Sequence, residues 1–204
     1  MNNDALLNVR KAYRLLFEYQ ERILNLMQYI GQTYDIPATK GNPLFSSKGS
    51  NRVDNWAWDY IYMYHFVFNF WRTTEEDPVW LNAYLLNDSG FYEKEENKNN
   101  NAKKFDINNF ELVEDSKSKL TLVSGLPGFE WSWPHDTWPF DDFIKRNEGI
   151  KEVTNEDGEQ GIVVFRTYDL EDFFDEKKAL NSLKEFAEFC KVHDLPIEIT
   201  EKLK

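Results

Sequence analysis

The chain has 204 residues, of which 16% are aromatic and 29% are charged, and its formal net charge is −12 at pH 7. This length and aromatic content suffice for one substantial hydrophobic core, so we predict a single domain. The negative charge makes nucleic-acid binding unlikely, because phosphate groups would be repelled. The single cysteine, Cys190, excludes an internal disulfide and a zinc site made of cysteines.

The sequence has no apolar run of the roughly 18–20 residues that a membrane helix needs. Residues 1–11 also lack the apolar segment of a signal peptide, so we expect a cytoplasmic protein without a membrane segment. The acidic excess is concentrated in residues 105–176, where 18 acidic and 6 basic side chains account for the whole net charge. Such a region would attract a basic protein partner.

Residues 4–30 predict a long amphipathic helix, because apolar side chains recur with a period near 3.6 residues. Asp4 is a suitable N-cap, and Gly31 follows the last apolar residue as a stop signal. We expect this helix to pack on one face of a sheet. Residues 33–53 contain two prolines and two glycines and predict a loop.

Residues 56–71 read WAWDYIYMYHFVFNFW and form the densest aromatic stretch of the chain. From Tyr60 onward, an entirely aromatic set alternates with a mostly apolar set, and this period of two predicts a strand. A helix is the alternative, although it would be apolar all round. A strand that is apolar on both faces must lie inside its sheet and be covered on both sides.

The remaining elements follow from the same patterns. Residues 79–86 predict a second strand, which Phe91 and Tyr92 could continue, and the polar residues 93–104 predict a mobile surface loop. Residues 110–113 and 120–123 flank a polar turn and predict a β-hairpin. Residues 147–160 are acidic and turn-like, residues 161–168 predict a strand, and residues 176–192 predict a helix ending near His193.

Residues 125–143 contain three tryptophans and three prolines. Prolines at this frequency exclude a helix or a central strand, so the segment is irregular. The whole pattern predicts an α+β fold: a single domain with an antiparallel meander sheet, on which a long N-terminal helix and a C-terminal helix pack. We expect the Trp/Pro-rich segment to cover the other face of the sheet.

Few residues have the pattern of a catalytic site. His65 lies in the aromatic strand, where most histidines are core residues, and His135 stands beside Asp136 among the tryptophans. Either histidine could serve as a general base. The spacing of the three histidines excludes an H-E-x-x-H zinc site, and we predict no cofactor. A carboxylate magnesium site remains open, with Asp54, Asp59, Glu130, Asp136, Asp141 and Asp142 as candidate ligands.

Three functions are compatible with these observations. The leading hypothesis is a non-enzymatic cytosolic protein-binding module, such as an inhibitor or immunity-type protein that neutralises a basic partner. Its predicted contact residues are Trp131, Trp133, Trp138, Asp141 and Asp142. The first alternative is a metal-dependent hydrolase that uses His135 and nearby carboxylates. The second is a module that binds a sugar or a base on the tryptophan rings.

Overall fold

The computed structural model describes residues 3–43, 64–72, 78–94, 107–126, 128–129, 146–155 and 157–200. They form an α+β fold in which two long helices pack against one antiparallel sheet of six strands. The long helices are α1 (Asn3–Thr33) and α3 (Glu176–Val192), and the single-turn helix α2 (Gly90–Glu93) lies between them in sequence. The predicted α+β fold class, with one long helix before the strands and one after them in sequence, is confirmed.

The sheet contains β1 (Ala38–Pro43), β2 (His65–Arg72), β3 (Val79–Leu86), β4 (Lys119–Gly125), β5 (Glu148–Thr154) and β6 (Gln160–Asp169). Their spatial order is β1-β2-β3-β4-β6-β5, and every neighbouring pair is antiparallel. The order therefore follows the chain except at the last two strands, where β6 lies beside β4 and β5 takes the edge. The strands predicted at residues 79–86 and 161–168 are confirmed.

The described part of the aromatic stretch is a strand, as predicted. Within β2, the alternation separates Phe66, Phe68 and Phe70 from Val67 on the opposite face. The strand lies inside the sheet between β1 and β3, which agrees with its burial on both faces. The earlier part of the stretch, residues 56–63, lies outside the described residues.

The first face of the sheet, called the helix face here, carries the larger core. The C-terminal half of α1 contributes Ile23, Met27 and Ile30, and α3 contributes Leu183 and Phe186. All five side chains are at most 2% exposed. Burying a large aliphatic or aromatic side chain contributes about 1.5–3 kcal/mol to stability, so this layer is the main reason that both helices stay on the sheet. The predicted packing of the N-terminal helix on one face of the sheet is thus confirmed for its C-terminal half.

The opposite face, called the second face here, carries a separate core. Val67, Trp80, Val123 and Phe165 come from four neighbouring strands and are buried together. Phe91 of α2 belongs to the same cluster. The predicted cover of this face, residues 125–143, lies mostly outside the described residues.

Helix α3 begins and ends where its sequence signals lie. The Asp175 side chain accepts a hydrogen bond from the backbone N–H of Lys178, which fixes the N-terminus. His193 is the C-cap residue, and its N–H donates to the carbonyl oxygen of Cys190. Cys190 is fully buried on the apolar side of the helix. Its sulfur therefore belongs to the core.

The loop prediction for residues 33–53 was wrong where β1 begins. An edge strand pairs along one side only, so it tolerates the proline at its end better than an inner strand would. Gly41 is needed because a Cβ atom there would lie 2.6 Å from the ring of Phe66 in β2. Glycine and proline were read as loop punctuation, whereas here they allow an edge strand to lie close to large aromatic rings.

Three further local predictions were wrong. Phe91 and Tyr92 lie in α2 rather than in a strand. Residues 110–113 do not form a hairpin with β4, because β3 and β6 already occupy both edges of β4. Residues 148–154 form β5 rather than a turn. The sequence of β5 lacks apolar alternation because most of this edge strand is exposed to solvent.

Candidate protein-binding surfaces

His65, a candidate general base, lies in the core. It is 1% exposed, and its ring stacks on that of Tyr64 with centroids 4.6 Å apart and on that of Tyr92 at 5.6 Å. Burial lowers the pKa of His65 well below its usual 6.5, because the charged imidazolium would lose its hydration. The structure therefore presents His65 as a neutral residue within an aromatic cluster.

Beyond His65, the same end of the second face holds an ion-pair cluster. Asp169 accepts hydrogen bonds from Lys117 and from Lys119, the latter at 2.6 Å. Partial burial acts to raise the pKa of Asp169, but the two lysines outweigh it and the pKa is lowered. Lys119 and Asp169 are paired residues of β4 and β6, so the cluster joins two central strands.

A cleft of about 440 Å³ opens on the helix side of the molecule. One wall is α1, with Arg22, Leu26 and Tyr29. The other wall is formed by the 3₁₀ turn Leu170–Phe173 and the start of α3, with Phe174 and Glu176. Its lining is mixed, with apolar side chains toward the core and charged groups of opposite sign on the two walls.

Four of the six residues at positions 171–176 are acidic, and this stretch is called the acidic corner here. Its acids are Glu171, Asp172, Asp175 and Glu176. Phe174 lies among them and is 55% exposed, at the mouth of the cleft. A large exposed ring surrounded by carboxylates has no evident role in the core, and it is the combination found at protein-binding sites.

The second candidate surface is the N-terminal half of α1. Residues 4–18, called the arm here, are exposed at every position except Ala5, which is half-buried. Seven of the exposed side chains are large and apolar: Leu6, Leu7, Val9, Tyr13, Leu15, Leu16 and Phe17. Tyr13 and Phe17 are 71% and 70% exposed. The core begins only beyond Tyr19, whose hydroxyl donates a hydrogen bond to the side chain of Asn87.

The sequence predicted this helix but not its exposure. A helix of 31 residues is about 46 Å long, whereas the eight-residue strands that it crosses span about 27 Å. The difference in length was the available signal that part of the helix would extend beyond the sheet.

A model of one protein family, whose description is PM0109, matches residues 1–195. The chain belongs to the PM0109 family. The matched region includes the arm, the cleft and the acidic corner, so all three lie in the part of the chain that corresponds to the PM0109 family model. No curated protein and no solved structure matches the chain.

Of the predicted catalytic and partner-binding residues of this PM0109 family member, the structure describes only His65. The candidate base His135 with Asp136, and the predicted contact residues Trp131, Trp133, Trp138, Asp141 and Asp142, lie outside the described residues. All six candidate magnesium ligands lie outside them as well. Within the described ranges, no three His, Cys, Asp or Glu side chains are grouped as metal ligands would be. None of the described helices is long and apolar enough to cross a membrane.

Proposed function

We propose that this protein is a non-enzymatic binding module of the cytoplasm that captures a basic protein partner, as an inhibitor or an immunity-type protein does. The observation that carries the proposal is the exposed ring of Phe174 in the acidic corner, at the mouth of the cleft. Binding energy at protein interfaces is concentrated in a few aromatic or arginine anchors that sit in or beside pockets. Phe174 has the exposure and the neighbouring cleft that such an anchor requires.

The charge of the acidic corner defines the chemistry of the partner. Carboxylates within one Debye length, about 8–10 Å, add their potentials at an approaching cation and accelerate its association. Lys178 approaches Asp172 only to 3.9 Å, and both side chains are largely exposed, so this pair cancels little of the field. Arg22 makes the α1 wall positive. We therefore expect a lysine or arginine of the partner to lie against Phe174 and Glu176 on the α3 wall.

The tryptophans and the acidic pair Asp141 and Asp142 remain predicted contacts for the same partner. The hydrolase and the sugar- or base-binding alternatives also remain predictions, since their residues lie outside the described part of the chain. The acidic corner and the arm give neither alternative additional support.

Affinity capture from a lysate of the source organism tests the proposal. Immobilised wild-type protein should retain a basic protein at 50 mM salt and release it at 500 mM, because screening weakens exposed charge pairs. Truncation of an anchor residue costs about 2 kcal/mol or more, so Phe174→Ala should weaken binding of that partner by at least about 30-fold. Glu176→Gln should chiefly slow association at low salt.

The matched control is Val192→Ala, which truncates another exposed apolar residue, at the far end of α3 from Phe174. It should bind as the wild type does. Because Phe174 is exposed, its truncation should leave the circular dichroism spectrum unchanged. A partner that binds wild type and Phe174→Ala equally, or that remains bound at 500 mM salt, contradicts the proposal.

A further inference from the structure

We propose that the arm pairs with the arm of a second copy of this chain, so that the protein is a homodimer held by two antiparallel helices. This inference rests on different residues from the proposed capture of a basic partner. It concerns residues 4–18 of α1, which extend past the sheet with an apolar surface exposed.

The spacing of the apolar residues indicates that another helix packs against the arm. Along all of α1, the stripe alternates steps of three and four residues, which is the 3.5-residue period of two helices packed along their length. Its members are Leu6, Val9, Tyr13, Leu16, Gln20, Ile23, Met27 and Ile30. The C-terminal members are buried on the helix face, and the first four continue the same side of α1 beyond the sheet.

The exposed area of the arm is comparable to what a dimer needs. A buried aromatic side chain covers about 150–250 Å², so Tyr13 and Phe17, each about 70% exposed, offer roughly 100–180 Å² apiece. The half-exposed stripe residues Leu6, Val9 and Leu16 bring the total to roughly 400–550 Å² per copy. A standard interface takes about 800 Å² from each partner, and contacts between the arm tip and the partner's sheet domain would supply the difference.

Charge does not oppose this pairing. The arm contains Arg10, Lys11 and Arg14 against Asp4 and Glu18, so its net charge is +1, whereas the whole chain carries −12. A second copy is therefore favoured over a strongly basic partner on this surface.

The geometry selects the antiparallel arrangement. The side of α1 that bears the stripe faces the sheet in its C-terminal half. A parallel partner helix would have to occupy the space already filled by the sheet. In an antiparallel pair, each arm covers the other, and each tip ends beside the partner's sheet. Leu6 then lies opposite the partner copy's Leu16, and Val9 opposite its Tyr13, as an isologous two-fold contact requires.

Sedimentation velocity of the full chain from 1 to 200 µM tests the pairing. Wild type should sediment at twice its 24.3 kDa mass. Leu16→Glu places a charge in the stripe and should raise the dimer dissociation constant at least about 100-fold. Leu15→Glu is the matched control, because it makes the same change at a neighbouring exposed leucine that lies off the stripe. It should remain dimeric.

Oxidative cross-linking of single-cysteine variants tests the direction. A mixture of Leu6→Cys and Leu16→Cys should form a mixed disulfide dimer, whereas Leu6→Cys alone should not cross-link. Cys190 is buried and does not interfere. Efficient cross-linking of Leu6→Cys with itself would show a parallel pair and overturn the proposed geometry.

Three other results would overturn the dimer itself. One is a wild type that remains monomeric at 200 µM. Another is equal dissociation by Leu15→Glu and Leu16→Glu. The third is a monomer that cosediments with phosphatidylserine vesicles and loses this binding in Leu16→Glu, which would assign the stripe to a lipid surface. Phe174→Ala should leave the dimer intact, so failure of the dimer and failure of partner capture can be distinguished.

Discussion

Replacing His65 by phenylalanine should remove a specific part of the pH dependence of stability. Phenylalanine keeps the ring between Tyr64 and Tyr92 but cannot take up a proton. In the wild type, burial holds the pKa of His65 well below the 6.5 of an unfolded chain. The unfolded state therefore binds a proton as the pH falls through 6.5, while the folded state does not, and stability is lost in that direction.

The magnitude follows from proton linkage. Each pH unit below 6.5 costs about 1.4 kcal/mol until the folded histidine is itself protonated. Between pH 7.5 and pH 5.0, the wild type should thus lose up to about 2 kcal/mol of unfolding free energy that His65→Phe does not lose. Charges elsewhere in this acidic protein contribute equally to both chains, so they cancel in the difference between them.

Urea unfolding followed by circular dichroism measures this difference. A denaturant slope of about 2 kcal/mol per molar urea converts it to a midpoint change of about 1 M. His193→Gln is the control for the loss of a histidine outside the core, since His193 is half-buried at the C-cap of α3. Parallel stability curves for wild type and His65→Phe from pH 7.5 to 5.0 would refute the reasoning.

Three further substitutions test the fold by urea unfolding at neutral pH. Phe186→Ala empties a fully buried site in the larger core and should cost about 3–5 kcal/mol, whereas Val192→Ala, at a 75% exposed site, should stay within about 0.5 kcal/mol of wild type. Asp175→Ala removes the hydrogen bond to the N–H of Lys178 and should cost about 1 kcal/mol. Gly158→Ala should also cost about 1–2 kcal/mol, purely from the backbone, because its φ is +82° and no atom lies within 4 Å of the added methyl group. Equal stability of Phe186→Ala and Val192→Ala would contradict the assignment of the core. Unchanged stability of Asp175→Ala would contradict the helix-capping role of Asp175, and unchanged stability of Gly158→Ala would contradict the requirement for glycine at that φ.

The elements predicted correctly from sequence are those whose apolar pattern is set by burial. Residues 176–192 show helical periodicity because Leu183 and Phe186 face the sheet, and residues 161–168 are apolar because β6 lies inside it. Strands β1 and β5 escaped prediction because they are edges, where solvent exposure removes the apolar alternation.

The candidate surfaces were harder to foresee than the fold. The ring of Phe174 looks in sequence like another core aromatic, and its exposure depends on the cleft that α1 and α3 form only after folding. The apolar stripe of α1 likewise suggests complete burial, and the reach of the sheet decides which half is covered. Conversely, His65 is fixed in the core by its neighbours on both sides, as its place in the aromatic strand suggested.

Contacts between the first and last parts of the fold determine when its core can close during synthesis. The hydroxyl of Tyr34, just after α1, donates to the carbonyl oxygen of Leu183 in α3, across 149 residues of sequence. The N–H of Thr200 donates to the carbonyl oxygen of Thr33. At about 5–20 residues per second, a ribosome needs roughly 8–30 s to make the intervening chain. Throughout that interval α1 has been made without α3, so the nascent chain exposes the whole stripe, and the core closes only after α3 has been made.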